Sequence, residues 1–231
     1  MKYILALILF FFLAPISLAQ QEEVEEVIAD SLYKEDQFYF GVTYNLLGKM
    51  PDNMSQNSFS SGFHVGFIKD MPINTNRNWA MGLGLGYSTN SFNQNLFIDK
   101  DTDGNYVYDL ISSEDFTKNK ISQHLIELPL ELRWRSSTPD TYKFWRIYTG
   151  FKIGYVFAST SKYVGANGTI KHKNIKDFDE LQYGLTLGVG YNTWNGYVYY
   201  GLNPIFDSSA KLEGKSIDVN AIKIGLIFYM L

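Results

Sequence analysis

Apolar and polar residues alternate along this chain in eight separate stretches. The clearest is 124–135, HLIELPLELRWR, in which every second position from Ile126 to Trp134 is apolar. The positions between them include Glu127, Glu131 and Arg133. Because successive side chains of a strand point to opposite faces, this pattern predicts a strand with one apolar and one charged face. The predicted strands are 37–46, 59–69, 78–90, 124–135, 143–158, 179–191, 196–206 and 217–231.

The two faces of these strands differ in a way that is typical of membrane proteins. One face is continuously apolar and aromatic, whereas the other mixes glycine, tyrosine and charge; the chain has 17 Tyr, 17 Phe and 19 Gly. A soluble ligand-binding barrel would place its large apolar side chains inside instead. Short links at 70–77, 136–141 and 192–195 alternate with long polar ones at 47–58, 91–120, 159–177 and 207–216. We therefore predict an all-β, eight-stranded antiparallel up-and-down barrel that spans the outer membrane.

The N-terminal region predicts export. Residues 1–19 combine a basic start, a short apolar run and a small-residue ending, which is typical of a signal peptide, and the run is shorter than the ~20 residues of a membrane helix. Residues 20–36 form an acidic periplasmic leader, and 37–231 form the barrel. The chain contains no cysteine, carries a net charge of −4 and has no basic stripe. These features exclude a disulfide framework and give no reason to expect nucleic acid as a partner or any cofactor.

The four tryptophans all lie beside short links. A girdle of aromatic residues at the periplasmic interface is expected of such barrels, because indole rings favour the boundary between lipid and water. Outer-membrane lipid is accordingly the first expected partner. The predicted girdle consists of Trp79, Trp134, Trp145 and Trp194.

Charged residues on the inner face predict an ion-pair network. An eight-stranded barrel is just wide enough for side chains to fill, and buried charges persist when they are paired. If the link at 136–141 is a tight turn, paired residue numbers sum to about 277, which places Glu131 opposite Arg146. Pro129 should mark a bulge or bend. The network would plug and stiffen the barrel, or else form an ion or proton path. Its predicted members are Glu127, Glu131, Arg133, Arg146 and Lys152.

Two stretches contain some, but not all, of the residues that a calcium site or a catalytic site would need. Residues 99–110 begin like a calcium loop, with Asp99, Asp101 and Asp103 at alternate positions, but Leu110 stands where the loop needs a glutamate. An ordinary turn is favoured over a weak calcium site. Ser122 and His124 share the outward face, as in barrels that hydrolyse lipid A, yet no acidic residue is evident to orient the imidazole. We predict that the protein is not an enzyme.

The stretch 124–134 and the flanking 62–88 resemble the PorT-type outer-membrane barrels of Bacteroidota. The family's commonest mark is a strand reading hydrophobic-Glu-hydrophobic-Pro-hydrophobic, which 126–130 (IELPL) matches. The resemblance implies a role in assembly or stability of the type IX secretion and gliding apparatus, with outer-membrane or periplasmic secretion components as partners. The alternative is an autonomous surface barrel that acts as a loop-presenting binder or a narrow, porin-like pore.

Overall fold

The computed structural model describes residues 36–136, 144–166 and 168–230. The predicted signal peptide at 1–19 lies outside the described residues, as does the acidic leader except for Asp36. No helix in the described part of the chain is long and apolar enough to cross a bilayer.

The described residues form thirteen strands, eight of which close a barrel. The barrel strands follow one another in the order β1, β2, β3, β6, β7, β9, β10 and β13, with β13 paired back to β1, and every pairing is antiparallel. This confirms the predicted fold. In chain order the strands are β1 (Gln37–Gly48), β2 (Ser61–Pro72), β3 (Trp79–Asn93), β4 (Leu96–Lys100), β5 (Tyr106–Leu110), β6 (Phe116–Arg135), β7 (Trp145–Gly165), β8 (Gly168–Lys173), β9 (Leu181–Tyr191), β10 (Trp194–Gly201), β11 (Lys211–Leu212), β12 (Lys215–Ser216) and β13 (Asn220–Met230).

Burial alternates along the barrel strands with the polar face inside. In β6 the side chain of Leu128 is 49% exposed, whereas its neighbour Glu127 is 1% exposed. The other barrel strands have the same arrangement, with polar side chains inside and with leucine, valine and aromatic side chains on the outward face. An apolar belt of this kind is stable in lipid and not in water, which is the physical reason for the inverted pattern.

The register of β6 against β7 differs from the prediction. Arg135 lies opposite Arg146, and Glu131 lies opposite Gly150, so that paired numbers sum to 281 rather than 277. The predicted pairing of Glu131 with Arg146 was therefore wrong. The two strands end at Arg135 and Trp145, so the link between them is longer than the tight turn that the prediction assumed.

Pro129 interrupts one ladder without shifting it. Between β3 and β6 the pairs Leu83–Leu130 and Gly86–Glu127 keep the same register, but the two positions between them are unpaired. Proline lacks the N–H that a ladder bond needs, which accounts for the gap. The register of β6 with β7 shifts at two other places, Phe116/Lys118 and His124/Leu125, and not at Pro129.

The long links fold into a structure that was not predicted. We name this structure the loop cap. It comprises strands β4, β5, β8, β11 and β12 and the loops around them. The β4–β5 hairpin and the β11–β12 ribbon are separate small sheets, and β8 pairs with the upper part of β7. The loop cap encloses an apolar core continuous with that of the barrel, and its buried members include Met54, Leu96, Ile98, Tyr108, Ile175, Phe178, Ile205, Phe206, Ala210, Leu212, Ile217 and Val219.

Candidate functional site

The middle of the lumen is organised around Glu127. Lys152 Nζ lies 3.0 Å from its Oε2, and Ser88 Oγ donates to Oε1 at 2.8 Å. His64 Nδ1 lies 3.5 Å from Oε2 and Lys223 Nζ lies 4.0 Å from Oε1. All five side chains are buried. One carboxylate thus lies close to two ammonium groups contributed by two different strands, and it is their shared counter-charge.

Tyrosine rings complete the packing around these ammonium groups. Lys152 Nζ lies 5.1 Å from the ring centroid of Tyr197, and Lys223 Nζ lies 4.8 Å from that of Tyr199. Contacts of this kind stabilise a cation over an aromatic face. The inward glycines make the room, because a Cβ at Gly86 would collide with the hydroxyl of Tyr39. The lumen is therefore filled by side chains at this level.

A second cluster surrounds Asp70 nearer the short-turn end. Arg133 Nη1 donates to its Oδ1 at 3.0 Å, and Arg135 Nη1 donates to Oδ2 at 2.7 Å. Arg133 also donates to Gln37 Oε1 at 2.8 Å, and its Nε lies 3.3 Å from Glu131 Oε2. The two carboxylates and the two guanidinium groups of this cluster have a net charge of zero. Charge-assisted bonds at these distances are strong, so this cluster fixes three strands to one another.

The structure divides the predicted charge network in two. It brings Glu127 to Lys152 and Glu131 to Arg133, which are four of the five residues named for the network. Arg146 lies elsewhere: it donates to the carbonyl oxygen of Asn192 at 2.9 Å and its guanidinium lies 4.3 Å from the ring centroid of Phe144.

Asp70 was missed because the prediction ended the second strand at residue 69. The alternation of inward Gly62, His64, Gly66 and Ile68 continues to Asp70, so extending the pattern by one residue would have found it. Lys223 alternates with the outward Ile222 and Ile224 on β13, but only closure of the barrel brings it to Glu127. The inward His64 also contacts the first strand, because its Nε2 lies 3.2 Å from Thr43 Oγ1.

The four tryptophans lie at the short-turn end. Trp79 is opposite Trp134 across the β3–β6 ladder, while Trp145 and Trp194 are both opposite Tyr191. The rings of Trp145 and Tyr191 are 5.3 Å apart, centroid to centroid. An outward aromatic band therefore exists at this end, in the arrangement expected of a girdle.

The loop cap also contains polar contacts that tie its parts together. Tyr108 Oη donates to Asp177 Oδ2 at 2.9 Å, joining the β4–β5 hairpin to the segment after β8. Burial and this hydrogen bond raise the pKa of Tyr108 above its ordinary value. The rings of Phe178 and Phe206 lie 4.9 Å apart, and the two residues form an isolated β-bridge. The loop cap is thus a packed unit rather than a set of independent loops.

A polar lumen, an apolar belt and an aromatic end together describe an outer-membrane barrel, and the family comparison agrees. Residues 18–207 match the model of the outer membrane protein beta-barrel domain. The chain belongs to this family. A comparison of this outer-membrane barrel with curated proteins finds no match.

Two similar solved structures are of Ail, the attachment invasion locus protein of Yersinia pestis. One is 10% identical, covering 86% of this barrel protein and 100% of Ail with a TM-score of 0.38. The other, a complex with the heparin analogue sucrose octasulfate, is 12% identical over 86% and 100% of the two chains with a TM-score of 0.39.

Residues 99–110, the weak calcium candidate of this outer-membrane barrel, lie in the β4–β5 hairpin and its turn. Asp101 Oδ1 accepts hydrogen bonds from the backbone N–H groups of Asn105 at 2.8 Å and Asp103 at 2.9 Å. These donors, with that of Asn105 first, lower the pKa of Asp101. Asp99 Oδ1 instead lies 3.2 Å from His172 Nε2. No group of three acidic or histidine side chains that could hold a metal occurs within the described residues.

Ser122 and His124 lie on the outward face of β6 as predicted. His124 Nδ1 lies 2.7 Å from Tyr87 Oη, so a phenol rather than a carboxylate orients the imidazole. Ser122 is flanked across the ladders by Ser91 and Thr160. This arrangement forms a row of hydroxyl-bearing residues on the outward face.

Proposed function

We propose that this outer-membrane barrel is a non-enzymatic anchor that holds the loop cap in a fixed shape for a protein partner. The observation that carries the proposal is the apolar core of the loop cap, in which Leu96, Ile98 and Phe178 are each no more than 4% exposed. Loops that serve only as connections have no need of such a core, because surface segments are usually solvated and mobile. A packed loop structure instead presents a preorganised surface, which lowers the entropic cost of binding.

The lengths of the links support one orientation in the membrane. Barrels of this class have short periplasmic turns and longer external loops. In the proposed orientation the loop cap faces the exterior, and the tryptophans form a girdle at the periplasmic interface. Export would require cleavage of the signal peptide predicted at 1–19.

The filled lumen favours an anchor over a pore. The Glu127 cluster occupies the middle of the barrel, the Asp70 cluster lies nearer the short-turn end, and the core of the loop cap lies above them. An eight-stranded barrel has little interior space beyond its side chains. We expect purified protein in planar bilayers to show no steady conductance; stepwise currents would contradict the anchor and favour the narrow-pore alternative.

The resemblance of 126–130 to the PorT-type strand supports a more specific partner. In this proposal the barrel contributes to the assembly or stability of a type IX secretion and gliding apparatus. A barrel of this width cannot itself pass a folded protein, so its contribution would be contact with a larger translocon.

The test is deletion of the gene followed by quantitative mass spectrometry of secreted and periplasmic proteins. We expect exported cargo to disappear from the medium and its precursors to accumulate in the periplasm, with recovery on complementation. Complementation with Ile98→Ala, which weakens the loop cap, should restore less secretion than Val107→Ala, an exposed position of the same hairpin. An unchanged secretome after deletion would overturn the secretion role and leave the autonomous binder.

Lipid A hydrolysis is tested separately. Mass spectra of lipid A from wild-type, deletion and Ser122→Ala cells should be identical. A change in acylation that depends on Ser122 would overturn the non-enzymatic assignment.

A further inference from the structure

Three lysines stand in one row on the outward face just above the apolar belt. In the β6–β7 ladder Lys120 lies directly opposite Lys162, and in the β7–β8 ladder Lys162 lies directly opposite Lys171. Directly opposed residues share a face, with their Cβ atoms about 5 Å apart. Lys118 and Lys173 lie two residues from this row on the same strands. We name Lys120, Lys162 and Lys171 the lysine row.

The lysine row has no carboxylate partner among the described residues. No carboxylate lies within ion-pair distance of its three ammonium groups in the part of the chain that the structure describes. Lys118 and Lys162 instead repel the charge of Lys120. Like charges placed directly opposite each other across strands destabilise a sheet. An anion bound from outside would remove this repulsion.

The surface below the lysine row changes in steps toward the membrane. The next row of the same strands carries hydroxyl groups, because Ser91 lies opposite Ser122 and Ser122 lies opposite Thr160. Below it the rings of Tyr87, His124 and Phe157 pack together, with centroids 6.1–6.2 Å apart.

Farther down lies the leucine-rich apolar belt. Leu128 and Leu130 of β6 and Ile153 of β7 belong to it, and each of the three side chains is exposed. The order is therefore cation, hydroxyl, aromatic ring and hydrocarbon.

A groove beside the lysine row offers space at the same height. It has a volume of about 440 Å³ and is bordered by Lys118 and Lys120, the hydroxyl groups of Ser61 and Ser91, and the ring of Phe116.

The gradient does not occur on three described strands across the barrel from the lysine row. On β10, β13 and β1 the outward residues toward the long-loop end are Tyr200, Ile222 and Leu46, which are aromatic or aliphatic. A general attraction to a negative membrane surface would not require the lysines to be gathered on three adjacent strands.

We propose that the lysine row and the hydroxyl row beneath it bind the phosphorylated sugar headgroup of an outer-leaflet glycolipid, whose acyl chains lie along the apolar belt. Lysines bind phosphate as point charges, and the hydroxyl groups of Ser122 and Thr160 suit a sugar. The proposal depends on the orientation given above and not on a secretion role. Ser122 then contacts a headgroup instead of acting as a nucleophile.

The experiment measures binding of bisphosphorylated lipid A to the purified full-length protein in detergent micelles. We compare wild type with the triple variant Lys120→Gln, Lys162→Gln, Lys171→Gln. The matched control is Lys49→Gln, Lys211→Gln, Lys215→Gln, which removes three loop lysines outside the row. Each lysine near an anionic lipid surface strengthens attraction severalfold, so we expect affinity to fall about tenfold or more in the first variant and to stay unchanged in the control.

Further binding measurements distinguish a lipid headgroup from other sources of the anion. Dephosphorylated lipid A should bind at least about tenfold more weakly, since the phosphates meet the lysines. Inorganic phosphate and heparin should fail to displace lipid A at equal concentration. Equal binding of dephosphorylated lipid A, or equal binding by the first variant, would overturn the proposal. Displacement by phosphate would indicate a free-anion site, and displacement by heparin a polysaccharide site, and either result overturns the lipid assignment.

A folding control keeps the result interpretable. The heat-dependent gel mobility of each variant reports whether the barrel is folded. The variant Lys120→Arg, Lys162→Arg, Lys171→Arg keeps the charges and should retain lipid A binding. Loss of binding in this folded arginine variant would contradict a role based on charge.

Discussion

The barrel lumen and the loop cap are stabilised by opposite means within one chain. The lumen is built on ion pairs, such as Glu127 with Lys152 and Asp70 with Arg133, whereas the loop cap is built on an apolar core that includes Ile98. The difference follows from the solvent on the outside. Where lipid surrounds the strands, apolar side chains are stable outward and polar ones turn in. Where the loops project into water, apolar side chains turn in as in any soluble protein.

The largest effect should come from removing the single carboxylate in the middle of the lumen. Glu127→Ala leaves the buried ammonium groups of Lys152 and Lys223 without their counter-charge, and breaking a buried ion pair in this way costs about 3–5 kcal/mol. We expect a loss of about that size in the free energy of unfolding, measured by urea titration in lipid vesicles.

A double variant sharpens this test. Adding Lys152→Met to Glu127→Ala removes one of the stranded charges, so the double variant should be more stable than Glu127→Ala alone. A loss below about 1 kcal/mol for Glu127→Ala would mean that water or counter-ions reach the lumen. The lumen would then not depend on buried ion pairs, and its contrast with the loop cap would be smaller.

The next effect concerns the core of the loop cap. Ile98→Ala removes a fully buried side chain from the β4–β5 hairpin, at a cost of about 2–5 kcal/mol. Because the ladders of the barrel do not depend on this hairpin, only the loops should become sensitive to protease while the barrel keeps its folded gel mobility. Val107→Ala serves as the exposed control on the same hairpin. Unfolding of the barrel together with the loops would show that the two regions are not separable.

The smallest effect should come from the polar contact inside the loop cap. Tyr108→Phe removes the hydrogen bond to Asp177 and should cost about 1 kcal/mol, measured by hydrogen exchange of the loop amides. The pKa of Tyr108 is raised above its ordinary value of 10 in the folded state. Its contribution is therefore fully present below pH 10 and is lost as the pH rises beyond that value. In Tyr108→Phe the loss of stability above pH 10 should be smaller than in the wild type. If stability depends on pH in the same way in both proteins, other groups cause that dependence.

Alternation alone was enough to predict the barrel strands and their faces. The inward positions of Glu127, Glu131, Arg133 and Lys152, and the grouping of the four tryptophans beside short links, follow from local spacing. Extending the second strand by one residue would also have included Asp70. The loop cap was not predictable in this way, because its short strands and scattered apolar residues come from four separate links.

The sequence by itself determined which side of each strand faces lipid, because the two-residue period of a strand is a local property of the backbone. Only the tertiary structure decided which charges meet. The register of β6 with β7 places Arg146 opposite Arg135 instead of Glu131, and closure of the barrel brings Lys223 to Glu127. It also decided that Lys120, Lys162 and Lys171 form a row, since cross-strand neighbours depend on register and on how the links fold. Such contacts join residues far apart in the chain, and no local pattern encodes their alignment.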